Sequence, residues 1–545
     1  MKKALLLAAT LSLGTALHAA GLTKPGDTAS KKPDASTTAA PDKGVLFTPE
    51  SVSSEGSVNV EGTRVDYHAI AGTIVVHPKG WDDVAWREQP DSDLGDKKNA
   101  KAEASMFYAA YFKKGVPAAN RPIVFLYNGG PGSSSVWLHM GAFGPRRIIT
   151  ADVTHTEAAP YRLDNNAYSL LDVADLVFID APGTGFSRIA GKDKEKAFYG
   201  VDPDAHAFSE FIKSFLTKYG RWNSPKYLFG ESYGTPRSAV VVNELETGND
   251  IDFNGVIMLS QILNFDLLGL SANLNPSIDQ PYITALPSYA ATSWYHNRLP
   301  GQRPTELEPF LKEVEQFAIT DYAQALQLGS QLDPQRKQQI AEKMAQYTGL
   351  PVAYILKSDL RIESAQFSKE LQSASGLTTG LLDSRFSGPD MDPLSKEASY
   401  DPQAAAIGSA YVSAFNDYVR KDLGYGQNEV FKPEIDVPDW DMAHQQPGTS
   451  SPIHGAMNVM PDLASAMKYN PSLKVMLNGG YFDLGTPYYE GWYEMHHLPI
   501  PASLQNNIEY HYYQSGHMVY AHEASLKQLH DNVATFIRKT DNLGG

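Results

Sequence analysis

Apolar and polar residues alternate along the first part of the chain, from Val52 to about Tyr111. Val58, Val60, Val65 and Tyr67 share one face of this pattern, and Glu61-Gly62 interrupts it as a hairpin signal. Ile70–Val76 and Ala104–Phe112 predict further strands. Beyond residue 120 the alternation gives way to short, wholly apolar runs. Ile123–Tyr127, Asp175–Ile179, Lys226–Phe229 and Val256–Leu259 are each strand-length, and the first three run into a glycine-containing turn. Helical spacing fills the gaps. Asp202-Pro203 reads as a helix start, followed by an apolar face of Phe208, Phe211, Ile212, Phe215, Leu216 and Tyr219. Ser238–Glu246 reads as a second helix. Apolar strands alternating with helices predict a mainly parallel sheet covered on both faces.

From about Asn264 to Pro461 this rhythm stops. Asn273–Pro300 reads as Pro- and Asn-rich loop. A helix is expected after the capping-box pattern Thr305–Glu308, another after Asp333-Pro334, and a third bearing Ile407, Tyr411, Phe415 and Tyr418. Helices without strands predict an inserted cap over residues 264–461. Strands resume at Lys474–Leu477 and Ile508–Tyr513, and a last helix is expected over about 521–538. The core is thereby split into residues 51–263 and 462–545.

Length changes this picture little. At 545 residues the chain is long enough for three or four domains, and a single domain with a large insertion fits equally well. Charge changes it more. The net charge of −16 gives no general attraction for phosphate backbones and argues against a nucleic-acid partner. The absence of cysteine excludes disulfides, thiolate metal sites and a cysteine nucleophile. Met1-Lys2-Lys3, the apolar run Ala4–Leu17 and the small residues Ala19-Ala20 predict a secretory signal peptide over residues 1–20, too short for a confident membrane span. Residues 21–50 read as a flexible linker. The expected location is therefore outside the cytoplasm, in the periplasm or the medium, with no membrane association after signal cleavage.

Chemistry enters at Gly230-Glu231-Ser232-Tyr233-Gly234. This G-x-S-x-G sequence lies between an expected strand and an expected helix, where a sharp turn exposes the serine hydroxyl. A serine needs a base, and the base an orienting acid, in the chain order Ser, Asp, His. Asp483 and His517 each follow an expected strand in that order. Alone, Asp483 would be a turn former and His517 a surface residue; together with Ser232 they predict a catalytic triad. An oxyanion also needs donors. The backbone N–H of Tyr233 and one from the loop Asn128-Gly129-Gly130-Pro131-Gly132 fit that need. That loop lacks both a P-loop ending and a dinucleotide fingerprint.

With these motifs in order, the sequence resembles the serine carboxypeptidase family. The likeness rests on residues 128–132, Gly183-Thr-Gly-Phe-Ser187, residues 230–234, Asn478-Gly-Gly-Tyr-Phe-Asp483 and Gly516-His517-Met518. It covers about residues 120–262 and 470–520. The resemblance implies an α/β-hydrolase fold with Ser232 as nucleophile, His517 as base and Asp483 as acid. Gly130 and Tyr233 would form the oxyanion hole. It further implies that Asn128 and Glu231 bind the substrate's C-terminal carboxylate. The family pairs that Glu with a second one, and here Ala142 takes its place. Leu126 and Ser133 likewise replace a usual Trp and Cys.

The expected activity is release of C-terminal amino acids from peptides, with no cofactor. An esterase or acyltransferase on the same triad is the alternative, and a binding protein on an inactive scaffold a third reading. Glu494-Met-His496-His497 lacks zinc-site spacing, so no metal is expected. The aromatic group Tyr481, Phe482, Tyr488, Tyr489, Trp492 and Tyr493 is expected mainly to pack core against cap. Oligomeric state is not legible in the sequence.

Overall fold

The computed structural model describes residues 46–82, 100–267 and 274–543. The expected signal peptide, and the expected linker up to residue 45, lie outside the described residues. Nine strands form the path of the main sheet: β1 (Ser51–Val60), β2 (Thr63–Val76), β3 (Glu103–Lys113), β4 (Ile123–Tyr127), β5 (Asp175–Ile179), β6 (Lys226–Glu231), β7 (Gly255–Leu259), β8 (Lys474–Gly480) and β9 (Ile508–Tyr513). Their spatial order is β1-β2-β3-β5-β4-β6-β7-β8-β9, and Arg188–Ala190 adds to the end of β3. β1, β2 and β3 pair antiparallel, β3 meets β5 antiparallel, and every pair from β5 to β9 is parallel. The β5–β4 inversion followed by parallel neighbours, with helices on both faces, is the α/β-hydrolase arrangement.

Period-two alternation sorts the strand side chains. Val124, Leu126, Leu176, Phe178, Phe229 and Ile257 face one apolar cluster. Ile123, Phe125, Val177, Ile179, Leu228 and Val256 face another on the opposite side. The second face is covered by α1 (Val201–Lys218), α2 (Gly234–Asn249) and a helix over Met460–Tyr469. The first is covered by the C-terminal helix Glu523–Thr540 and by Pro402–Lys421.

The inserted segment packs in two parts. Helices α3 (Gln280–Tyr295), α4 (Leu307–Phe317) and α5 (Pro334–Thr348) build a third apolar cluster. The helix at Pro402–Lys421 instead puts Ile407, Tyr411, Phe415 and Tyr418 into the first core cluster.

Two sequence expectations need correcting in this region. Residues expected to be loop form α3, because every position from Pro281 to Ser293 is buried. A helix buried on all sides has no polar face, so it carries no amphipathic period to read. The Thr305–Glu308 pattern forms no side-chain cap; α4 starts at Leu307 after an uncapped Glu306. Asp333, by contrast, caps α5 by accepting from the N–H groups of Gln335 and Arg336. Helix α1 begins at Val201, so Asp202 lies inside its first turn and is free to pair elsewhere. It bonds His444 Nδ1 at 2.5 Å, and the other nitrogen of that ring meets Asp462 at 2.7 Å.

Candidate active site

The motifs expected from sequence converge at the carboxyl ends of β4, β6, β8 and β9. After β6 the backbone turns sharply: Ser232 sits at φ +57°, a left-handed conformation unusual for a non-glycine residue. Its N–H donates to Leu259 O of the neighbouring strand at 2.9 Å, and its carbonyl accepts from Thr235 N at 2.8 Å. The turn leaves no room at its flanks. A Cβ on Gly230 would lie 2.1 Å from Gly234 O, and one on Gly234 would lie 2.9 Å from Tyr127 O.

The glycine-rich loop after β4 rests directly on this turn. A Cβ on Gly129 would fall 2.3 Å from the backbone nitrogen of Tyr233. Gly130 follows at φ +107°, a conformation that glycine adopts freely. Gly130 and Tyr233, the two expected oxyanion donors, are thus carried on segments in backbone contact.

Asp483 and His517 meet as an ion-pair geometry, Oδ2 to Nδ1 at 2.7 Å. Asp483 is fully buried, and its remaining acceptor capacity is used. Oδ1 takes the N–H groups of Gly485 at 2.8 Å and Thr486 at 2.9 Å, and Oδ2 takes the Thr486 hydroxyl at 2.8 Å. The Asp483 carboxylate, opposed by burial, holds the His517 imidazolium above its ordinary range. The His517 carbonyl accepts from Ser260 Oγ at 2.6 Å, which ties the histidine loop to the end of β7.

Beside this pair lies Glu231, buried with only 3% exposure. Its Oε2 accepts from Asn128 Nδ2 at 2.9 Å and from Tyr520 OH at 2.8 Å. Burial pushes the Glu231 carboxyl up to about 7, against the lowering effects of His517 and these two donors. Asn128 is oriented in turn, since its Oδ1 accepts from Leu138 N at 3.0 Å. Ala142 is buried in the wide helical turn Leu138–Phe143 and brings no second carboxyl. The hydroxyl partner of Glu231 is Tyr520, three residues beyond His517.

Sequence reasoning missed Tyr520, Thr486 and Arg237. Arg237 is wholly buried on α2. It donates from Nε and Nη2 to Asp204 and from Nη1 to the Asn128 carbonyl at 2.8 Å. Its guanidinium lies 4.3 Å from the Phe208 ring centroid. The one available signal was an arginine on the otherwise small and apolar stretch after Gly234. The aromatic group divides. Tyr481, Phe482, Tyr488 and Tyr489 join the cluster of α3–α5, while Tyr493 stacks on His497 with centroids 3.9 Å apart. Glu494 accepts the N–H groups of Leu263 and Asn264, each at 2.8 Å.

The family model described as serine carboxypeptidase matches residues 96–528. The chain belongs to the serine carboxypeptidase family. Serine carboxypeptidase-like 36 of Arabidopsis thaliana is 26% identical over 227 residues, 38% of this chain and 44% of that protein. A carboxypeptidase Y homolog of Arthroderma benhamiae is 32% identical over 144 residues, 26% of each chain. These matches span less than half the length of the relatives. Among solved structures, a Mycobacterium smegmatis proline iminopeptidase aligns over 90% of this chain and 99% of its own, at 12% identity and a TM-score of 0.31. The sheet order and the family match, rather than that likeness, define the fold of this serine carboxypeptidase family member.

Replacing Arg237 with Met is expected to lower stability by about 3–5 kcal/mol, because Asp204 would be left as a buried charge without its partner. Urea unfolding of the variant checks this. The pair Asp204→Asn with Arg237→Met should recover part of the loss.

Proposed function

We propose that the protein is an exported serine carboxypeptidase that releases C-terminal amino acids from peptides through an acyl-enzyme on Ser232. The observation that carries the reading is the Asp483–His517 bond of 2.7 Å beside the Asn128–Glu231 bond of 2.9 Å. The first supports acyl transfer, and the second supports capture of a carboxyl group next to it. In this reading His517 takes the Ser232 proton as the hydroxyl attacks the peptide carbonyl, then returns it to the leaving amine. The backbone N–H groups of Gly130 and Tyr233 hold the developing oxyanion. Water, deprotonated by the same imidazole, releases the acyl group. Asp483 fixes the ring and stabilises its charged form. Of the inserted residues 264–461, helices α3–α5 act as the cap over the cleft, while Pro402–Lys421 belongs to the core.

Glu231 supports the carboxylate role through its proton. Below about 7 its carboxyl is neutral and can donate to a substrate carboxylate; above that it repels one. Asn128 supplies a second donor. The basic and apolar residues 1–20 support export to the periplasm or medium. Among the described residues no helix is long and apolar enough to cross a membrane.

An esterase or acyltransferase on the same triad is the second reading. It is favoured by one observation: Glu231 is paired with the Tyr520 hydroxyl and not with another carboxyl.

A blocked dipeptide with a free C-terminus should be hydrolysed far faster than its C-terminal amide, and Ser232→Ala should abolish both reactions. Equal turnover of acid and amide would sink the carboxypeptidase reading. For the free-acid substrate, KM should rise as pH climbs through about 7, where Glu231 becomes charged. Glu231→Gln should flatten that rise in a steady-state pH series. The low-pH fall in kcat, set by protonation of His517, should survive the substitution.

A further inference from the structure

The aromatic residues after β8 do more than pack against α4; they border a half-open cleft. A cavity of about 170 Å³ lies between them, walled by Tyr481, Tyr488, Tyr489, Trp492 and Tyr512. The rings pack on one another in mixed geometry. Tyr481 and Tyr488 meet edge-on with centroids 5.0 Å apart, Tyr488 and Tyr512 at 5.1 Å, and Tyr489 stacks on Trp492 at 4.8 Å. Two carboxylates of α4, Glu308 and Glu315, complete the lining, against the single ammonium of Lys312. The Tyr488 hydroxyl donates to Glu315 Oε1 at 2.7 Å and fixes that carboxylate at the cage. The Tyr512 hydroxyl is shielded from solvent and has no hydrogen-bond partner among the described residues.

We propose that this cage binds an organic cation, an alkylammonium or guanidinium group, held over the ring faces with Glu308 and Glu315 as counter-charges. Ring faces carry the negative part of the aromatic quadrupole and attract cations. Two carboxylates against one ammonium leave the lining net negative. Tyr512 offers an unused oxygen lone pair to an N–H donor, which a purely apolar guest would leave unsatisfied. Burial, and after it Glu308 and Glu315, push the Tyr481 hydroxyl above its ordinary range. The same negative potential that opposes a phenolate favours a cation. The site is separate from the proposed triad, yet Tyr481 lies two residues before Asp483. A guest would therefore bridge α4 to the segment that carries the acid. A basic peptide side chain and a free amine supply the same chemistry.

Binding is read without turnover. Titrate the protein with choline, tetramethylammonium and butylguanidinium, following heat and tryptophan fluorescence, beside 3,3-dimethylbutanol, the uncharged isostere of choline. Saturable binding of the cations, at least tenfold tighter than the alcohol, is expected. Glu308→Gln with Glu315→Gln should weaken it about tenfold, and Trp492→Leu should remove the fluorescence change. Cations binding no better than the alcohol, or binding unaffected by both carboxylate changes, would overturn the proposal. A second arm identifies the source. If a peptide side chain is the guest, tetramethylammonium competes with a blocked dipeptide containing arginine but not with its citrulline counterpart. If a free amine is the guest, binding persists with no competition. Both results require the cage, and neither depends on which reaction the triad performs.

Discussion

The approach of the glycine-rich loop to the Ser232 turn is the contact on which the rest of the site depends. Here backbone meets backbone: a single methyl group on Gly129 would lie 2.3 Å from Tyr233 N. Packing this close sets the segment that carries Gly130 against the one that carries Tyr233, the two proposed oxyanion donors. It also demands a support behind the loop. Arg237 provides it by holding the Asn128 carbonyl while its charge is balanced by Asp204. A buried ion pair is a poor source of net stability. Its value here is geometric, since it fixes a loop that carries both a proposed oxyanion donor and the proposed carboxylate donor Asn128.

The acid side of the site is built with the same economy. Asp483 receives three hydrogen bonds besides that of His517, so both oxygens of this fully buried side chain are partnered. Glu231 receives two and is displaced toward its neutral form. Two carboxyls near one imidazole thus meet different sets of donors, and burial raises the one at Glu231 toward its neutral form. That division suits a site in which one carboxyl orients a base and the other receives an anionic substrate group.

Much of the fold was legible because the sheet strands are short apolar runs punctuated by glycine and alternate with helices, whereas the β5–β4 inversion was not, since chain order alone does not encode it. The G-x-S-x-G turn, Asp483 and His517 were legible for a related reason: each must follow a strand and precede a turn. The inserted segment was less legible. Helix α3 is buried all round, so its sequence lacks the polar stripe that marks a helix. The carboxyl partner was legible only as an absence at Ala142. Tyr520 answers that absence from far along the chain, and no spacing rule links it to Glu231.

The sequence by itself determined which residue types meet at the strand ends, because the turn at Ser232 admits only glycine-sized residues at 230 and 234 and Asp483 and His517 each follow a strand in the expected order. Tertiary structure alone decided what those residues experience. Burial sets Glu231 near 7, Arg237 acquires its role only by reaching Asn128 from another element, and five rings after β8 become a cage only when α4 lays two carboxylates beside them. Protonation, support and enclosure are properties of distance and dielectric, and a linear chain does not contain them until it folds.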